Sequence, residues 1–404
     1  MKKIYLLFIC IIGLATSCDI GDNETDPTTS FLKIYDDNTY ESSYIPIDIK
    51  QTSDGGYLVL SATRKAELEP LTGVRVIKLD ANGDFEKQQD LDGFSHPVGD
   101  LMEIDGNFYF IAMTTRAEAA RVVIFMIDNT GTLADPITLS SVRNYPFCAT
   151  KTDDGKILLL SFDNKNLNTV FTESDINGSI LKSSKFSLGP NAQDIGEPFR
   201  TINESFFRTG KKQPYLIGKM NDQTYYFNGF YNFTLSFIFT NLDGDNSVIG
   251  QINGQHRVAG ISAALNLDGN NFAISRFNYG DNYLYANYDA EPLLATSSVN
   301  IGGNIFPELV QDATVIIKEV SIGSRDITIF ASNTKTGQII LLAFEGKTLV
   351  GTKYLGFGNS YEIANFSTTE DNGLIILGNT YITGRFNRLC TFKLSEEELR
   401  DIIE

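Results

Sequence analysis

The chain has 404 residues, 42% of them hydrophobic, with 28 Phe, 18 Tyr and no Trp. That much apolar side chain is enough to fill a core, which excludes disorder over most of the length. A formal charge of −17 makes a surface that repels phosphate backbones and argues against nucleic acid as a partner.

At the start, Lys2 and Lys3 precede the apolar run 4–14 and the small residues Ala15-Thr16-Ser17, which stand directly before Cys18. A charged start, a short apolar stretch and small residues read as a secretory signal peptide over 1–17, too short to span a bilayer. Small residues before a cysteine resemble a bacterial lipobox, which implies that Cys18 is acylated and becomes the mature N-terminus. Leu14 departs from that pattern, standing four residues before the cysteine instead of three. Ordinary cleavage into a soluble periplasmic protein is the alternative.

Residues 18–29 carry Asp19, Asp22, Glu24 and Asp26 and show no periodicity, so they read as an acidic flexible tether. Acidic residues just after a lipid-bearing cysteine resemble the export signal of surface-exposed lipoproteins of the Bacteroidota type. That resemblance implies anchoring in the outer membrane facing outward; a solvated linker without address value is the other reading.

From residue 30 onward one pattern recurs. In TSDGGYLVLSA, residues 52–62, a polar turn at Asp54-Gly55-Gly56 is followed at once by an apolar run. Looser copies stand at 104–111, 152–160, 267–275 and 370–377, and Asp/Asn-Gly supplies the positive-φ positions that a tight hairpin needs. A second turn follows in each unit, at 80–83, 128–131, 175–178, 241–244 and Glu345-Gly346. Two hairpins make four strands per unit. Units starting near Tyr44, His96, Tyr145, Lys212, Arg257, Phe306 and Tyr361 have the length of a propeller blade. The chain resembles the Asp-Gly-Gly-Tyr type β-propeller repeats of bacterial surface lipoproteins over about 31–394, which implies a fold and not a reaction. The expectation is therefore an all-β chain with a single β-propeller over 30–394, of seven four-stranded blades. Degenerate turns at Asn221-Asp222 and 323–326 leave six or eight open.

The last unit has no fourth strand after 386–394. Ser395-Glu396-Glu397-Glu398 instead has the form of a capping box opening a short helix over 395–404. A spare strand, Phe31-Leu32-Lys33-Ile34-Tyr35, precedes the first unit, and pairing it with the last blade would close the ring and cover an edge.

If the tight hairpins occupy one side, the longer connections occupy the other, where binding groups concentrate. Arg64, Arg116, Arg121, Arg276 and Arg385 fall there, with Tyr279 and both histidines, His96 and His256. Arginines in an acidic protein suit carboxylate, sulfate or phosphate groups, and Arg116, Arg276 and Arg385 are the expected contacts to a polar or anionic ligand. The bland reading of each is a solvated loop charge. No Cys/His spacing suits zinc, nothing calls for a cofactor, and 243–246 lacks the glycine and closing glutamate of a calcium loop. The residues 189–213 form an insertion of open role.

Two functions fit. One is a non-catalytic ligand-binding or scaffold lipoprotein of the outer membrane, partnered by a transporter or other lipoproteins in a nutrient-uptake complex that resembles the starch-utilisation systems. The other is a surface hydrolase or lyase acting on glycans or peptides. Absence of Trp argues mildly against flat sugar platforms in either.

Overall fold

A computed structural model describes residues 28–36, 43–64, 71–115, 120–139, 145–189, 196, 199–202, 213–255, 258–291, 293–381 and 387–404. The Asp-Gly turns act as expected. Asp54 Oδ1 accepts from Thr52 Oγ1 at 2.5 Å and from Gly56 N at 3.0 Å, while Gly55 takes the left-handed conformation, φ +81°. Thr369 and Asp371 repeat the arrangement, with Asn372 at φ 58°.

Each turn joins antiparallel strands of a blade. Blade 1 comprises Ser43–Gln51, Tyr57–Arg64, Gly73–Leu79 and Phe85–Asp90, from the axis outward. The other blades begin at Phe94, Tyr145, Leu216, Ala259, Ile316 and Ser360, giving a seven-bladed β-propeller. Blade 4 gains a fifth strand of two residues, Thr296–Ser297, paired in parallel.

The second strand of each blade is apolar without alternation because both its faces are buried between neighbours. Tyr57 and Val59 pack against blade 7 with Ile375 and Leu377, whereas Leu58 and Leu60 pack against blade 2 with Phe108 and Phe110. One such cluster fills each gap between adjacent blades.

Phe31–Tyr35 pairs antiparallel with residues 389–393 and so supplies the outer strand of blade 7. Its side chains also grip blade 1. Tyr35 Oη donates to Gly83 O at 2.8 Å, and Lys33 meets Asp84 at 2.7 Å. Beneath this seam, Arg388 is fully buried; its Nε donates to Asp36 Oδ1 at 2.9 Å and its guanidinium lies 5.5 Å from the Tyr44 ring centroid. Arg75 approaches the same ring at 4.8 Å.

The C-terminal helix, Glu396–Ile403, sets Leu399, Ile402 and Ile403 into the core between blades 6 and 7. Its cap is half of the expected box. Ser395 Oγ accepts from Glu398 N at 3.3 Å, but Ser395 N donates to Ser30 Oγ, and the Glu398 carboxylate takes Ser30 Oγ and Lys353 instead. Ring closure brings Ser30 to that N–H and displaces the local partner. Among the described residues no helix is long and apolar enough to cross a membrane.

Two turns are locked by buried lysines. Lys78 Nζ lies 3.0 Å from Asp54 Oδ2, and Lys393 Nζ lies 2.7 Å from both oxygens of Asp371. Burial raises the Asp371 carboxyl, but Lys393 and Thr369 outweigh it and hold the acid below its usual 3.8. A depressed carboxylate stabilises the fold above its unfolded pKa and loses that effect as pH falls. The unfolding midpoint is therefore expected to drop as pH falls below about 3.8, and Asp371→Asn should flatten that slope. An identical acid slope in the variant would detach the pair from stability.

Candidate functional site: the central cavity

The innermost strands of all seven blades wall a cavity of about 1520 Å³ along the axis. Bulges shape its wall. The first strands of blades 1, 3, 5 and 7 shift register at the same level, at Pro46/Asp48, Pro146/Cys148, Ile261/Ala263 and Ile363/Asn365. A bulge leaves a ladder N–H unpaired, and a short acidic or amide side chain can take it. Asp48 Oδ1 accepts from Ile49 N at 2.8 Å, and Asn365 Oδ1 accepts from Phe366 N at 2.9 Å in the corresponding place.

Towards the long-connection mouth the lining is largely apolar, with Phe147, Tyr215, Phe233 and Phe277. Phe147 stacks on Tyr215 with centroids 4.1 Å apart. Towards the tight-turn end the lining turns charged, with Lys50, Asp100, Lys219, Lys318 and Glu319.

A quartet of charges bridges the blades at this level. Asp48 is fully buried behind the wall, and its Oδ2 accepts from Leu101 N of blade 2 at 2.7 Å. Lys50 Nζ stands 3.8 Å from that carboxylate and donates to Ser367 Oγ of blade 7 at 3.1 Å. Lys318 Nζ of blade 6 donates to Phe366 O of blade 7, 5.3 Å from the centre of that ring. Asp100 Oδ2 accepts from Thr150 Oγ1 of blade 3 at 3.3 Å. Burial pushes the Asp48 carboxyl up, against the pull of Lys50 and Lys318. Burial also works against the Lys50 charge, yet Asp48 and Asp100 outweigh it and hold its pKa above the usual value. Lys318 goes the other way, pulled to about 8 by burial and by the Lys50 ammonium.

Of the residues expected on the long-connection face, those among the described residues are not gathered into one group. Arg276 is buried in blade 5, its guanidinium 3.9 Å from the Tyr283 ring centroid and its Nε donating to Gly302 O at 3.2 Å. The connection after Arg276 is a tight hairpin between Asn271–Asn278 and Asp281–Asp289, closed by Tyr279-Gly280, both at positive φ, which leaves Tyr279 72% exposed. Arg64 ends the second strand of blade 1 half-buried, and Arg121 is exposed just before Val122–Ile127. Arg116, Arg385 and His256 lie outside the described residues.

His96 lines the cavity in a left-handed conformation, φ 55°, and burial pulls its imidazole to about 3. Cys390 is buried in the core, whereas Cys148 lies at the blade 3 bulge and faces the cavity half-buried. Its thiol is pushed up by burial and by Asp100, which disfavours the nucleophilic thiolate.

No protein-family model matches the chain, and no curated protein matches its sequence. Solved structures match the fold. The β-propeller domain of the Trilobed protease from Pyrococcus furiosus is 12% identical, with a TM-score of 0.48 over 90% of this chain and 99% of that one. An acylaminoacyl peptidase of Pyrococcus horikoshii is 13% identical, TM-score 0.44, over 89% of this chain and 50% of the peptidase, so the chain spans about half of that protein. A glucose dehydrogenase is 11% identical, TM-score 0.41, over 89% of this chain and 98% of the dehydrogenase. At such identities the likeness concerns the fold alone.

Proposed function

We propose that the chain is a surface-exposed lipoprotein, held in the outer membrane through Cys18, that binds a small ligand in its central cavity without transforming it and serves a nutrient-uptake assembly. One observation carries the binding half: a cavity of about 1520 Å³ walled by strands from every blade, apolar at one end and charged at the other. Rigid concave sites with few, placed polar groups are where small molecules bind. The His96 imidazole, pulled to about 3, is a poor general base near neutral pH.

A neutral aromatic probe tests the cavity. Binding of 2-(1-naphthyl)ethanol, followed by titration calorimetry, is expected to vanish in Thr314→Trp, because Thr314 is an exposed side chain on the cavity wall and an indole there fills the space. Equal binding by the variant, with unfolding unchanged, would place the probe elsewhere and sink this reading. The anchor has its own test: Cys18→Ser should move the protein from the membrane pellet to the soluble fraction, since acyl chains hold it through their buried methylenes. Persistence in the pellet would refute the anchor.

A further inference from the structure

The charged end of the cavity departs from what a structural ion cluster requires. Lys50 and Lys318 carry up to six N–H donors between them; one hydrogen bond joins the two amines, and the others within the fold go to one hydroxyl and one carbonyl, Ser367 Oγ and Phe366 O. Neither bonds directly to a carboxylate, since Asp48 stands 3.8 Å from Lys50 and has its two oxygens engaged by Ile49 N and Leu101 N. Asp48 also lies behind the wall, whereas both lysines line the cavity. Two ammonium groups thus meet, at the same level of the cavity surface, the single carboxylate of Asp100, itself bonded by Thr150. Glu103 also supports the Lys50 charge, but it and the acids further out at the tight-turn end, Asp153, Asp154, Asp222 and Glu319, are exposed and screened by solvent.

We infer that the cavity takes an amphipathic carboxylic acid, its carboxylate between Lys50 and Lys318 and its apolar body reaching towards Phe147 and Tyr215. This rests on the reading of the cavity as a ligand site. Along the axis, from Phe147 to the level of Thr150 is three residues, or about 10 Å at the rise of a β-strand, an offset that a two-ring aromatic body helps to span. A carboxylate there accepts the spare ammonium donors in a partly desolvated place, where charge-assisted hydrogen bonds are strong. It also offsets what holds Lys318 at about 8, first its burial as a cation and then the like charge and hydrogen bond of Lys50. Binding must therefore draw a proton onto the site above that pH.

The probe pair is 1-naphthylacetate and 2-(1-naphthyl)ethanol, which share a body and differ in the head group. Titration calorimetry at pH 7 is expected to show the acid binding at least tenfold tighter than the alcohol. Lys318→Met should bring the acid to the affinity of the alcohol and leave the alcohol unchanged, and Lys50→Met provides the same comparison should the first variant fold poorly. At pH 8.5 the wild-type heat for the acid should vary with the ionisation enthalpy of the buffer in the sense of proton uptake, and the heat for the alcohol should not. Lysines that merely latch the blades together would shift stability and leave both readouts flat. If the alcohol binds in a manner blocked by Thr314→Trp but the acid shows no preference or no proton uptake, the carboxylate assignment falls and the cavity site stands. If neither probe binds, the cavity reading itself falls and takes this one with it.

Discussion

Removing Phe31–Tyr35, with residue 30 rejoined to Asp36, is expected to lower the unfolding temperature by on the order of 10 °C. The strand pairs with all of residues 389–393, and its loss strips Tyr35 from Gly83 and Thr391 and Lys33 from Asp84. Phe31 and Tyr35 leave the core between blades 7 and 1 as well. Ladder hydrogen bonds at about 1 kcal/mol net each, with the apolar burial added, make a loss of roughly 4 kcal/mol or more. The freed edge is Arg388–Leu394, a central strand by burial, and an open edge of that kind pairs with other chains. Calorimetry should therefore show the lower transition, and light scattering should show association on heating. A variant with unchanged melting and no scattering would mean that the ring holds without its closing strand.

Arg388→Ala has the second large effect, a loss of about 3–5 kcal/mol in urea unfolding. The guanidinium is fully buried, bonded to Asp36 at 2.9 Å and set against Tyr44, so truncation leaves both a void and a carboxylate deprived of its partner. Lys in its place should recover little, because the planar fork both bonds the carboxylate and lies near the ring. Arg400→Ala makes the control. Its pairing with Glu396 is a surface contact of an arginine 53% exposed, and exposed pairs contribute about 0–1 kcal/mol. Equal effects from the two substitutions would show that burial does not set the contribution of these arginines.

Much of the architecture was legible in the residues. Turns such as Thr52-Ser53-Asp54-Gly55-Gly56 announce themselves because only glycine, asparagine or aspartate sits readily at positive φ, and the continuous apolar runs after them mark strands covered on both faces. Blade 6 was less legible. Its first strand is Ile316–Ile322, whereas the apolar residues from Phe306 suggested a start ten residues earlier. Leu309, Ala313 and Val315 are buried there as a link filling the gap to blade 5, and a buried link has the composition of a strand.

The candidate site was the least legible part, for a different reason. Lys50 and Lys318 stood in view as charges within apolar strand runs, but nothing local distinguishes such a lysine from one on a solvated face. Arg276 shows the reverse case, a cation near a predicted loop that ends under Tyr283.

The repeat, the four-stranded unit and the spare strand that closes the ring are all written in local residue patterns, because turn chemistry and strand burial act over a few neighbouring residues. Which charges share the cavity depends on how the blades close. Asp48 and Lys50 of blade 1, Asp100 of blade 2 and Lys318 of blade 6 come from distant stretches of chain, and they meet because seven blades closed in a circle bring every first strand to a common axis. Closure of the circle also fixes which side of each strand looks inward, and so separates the ammonium groups that can reach a ligand from those that lock a turn.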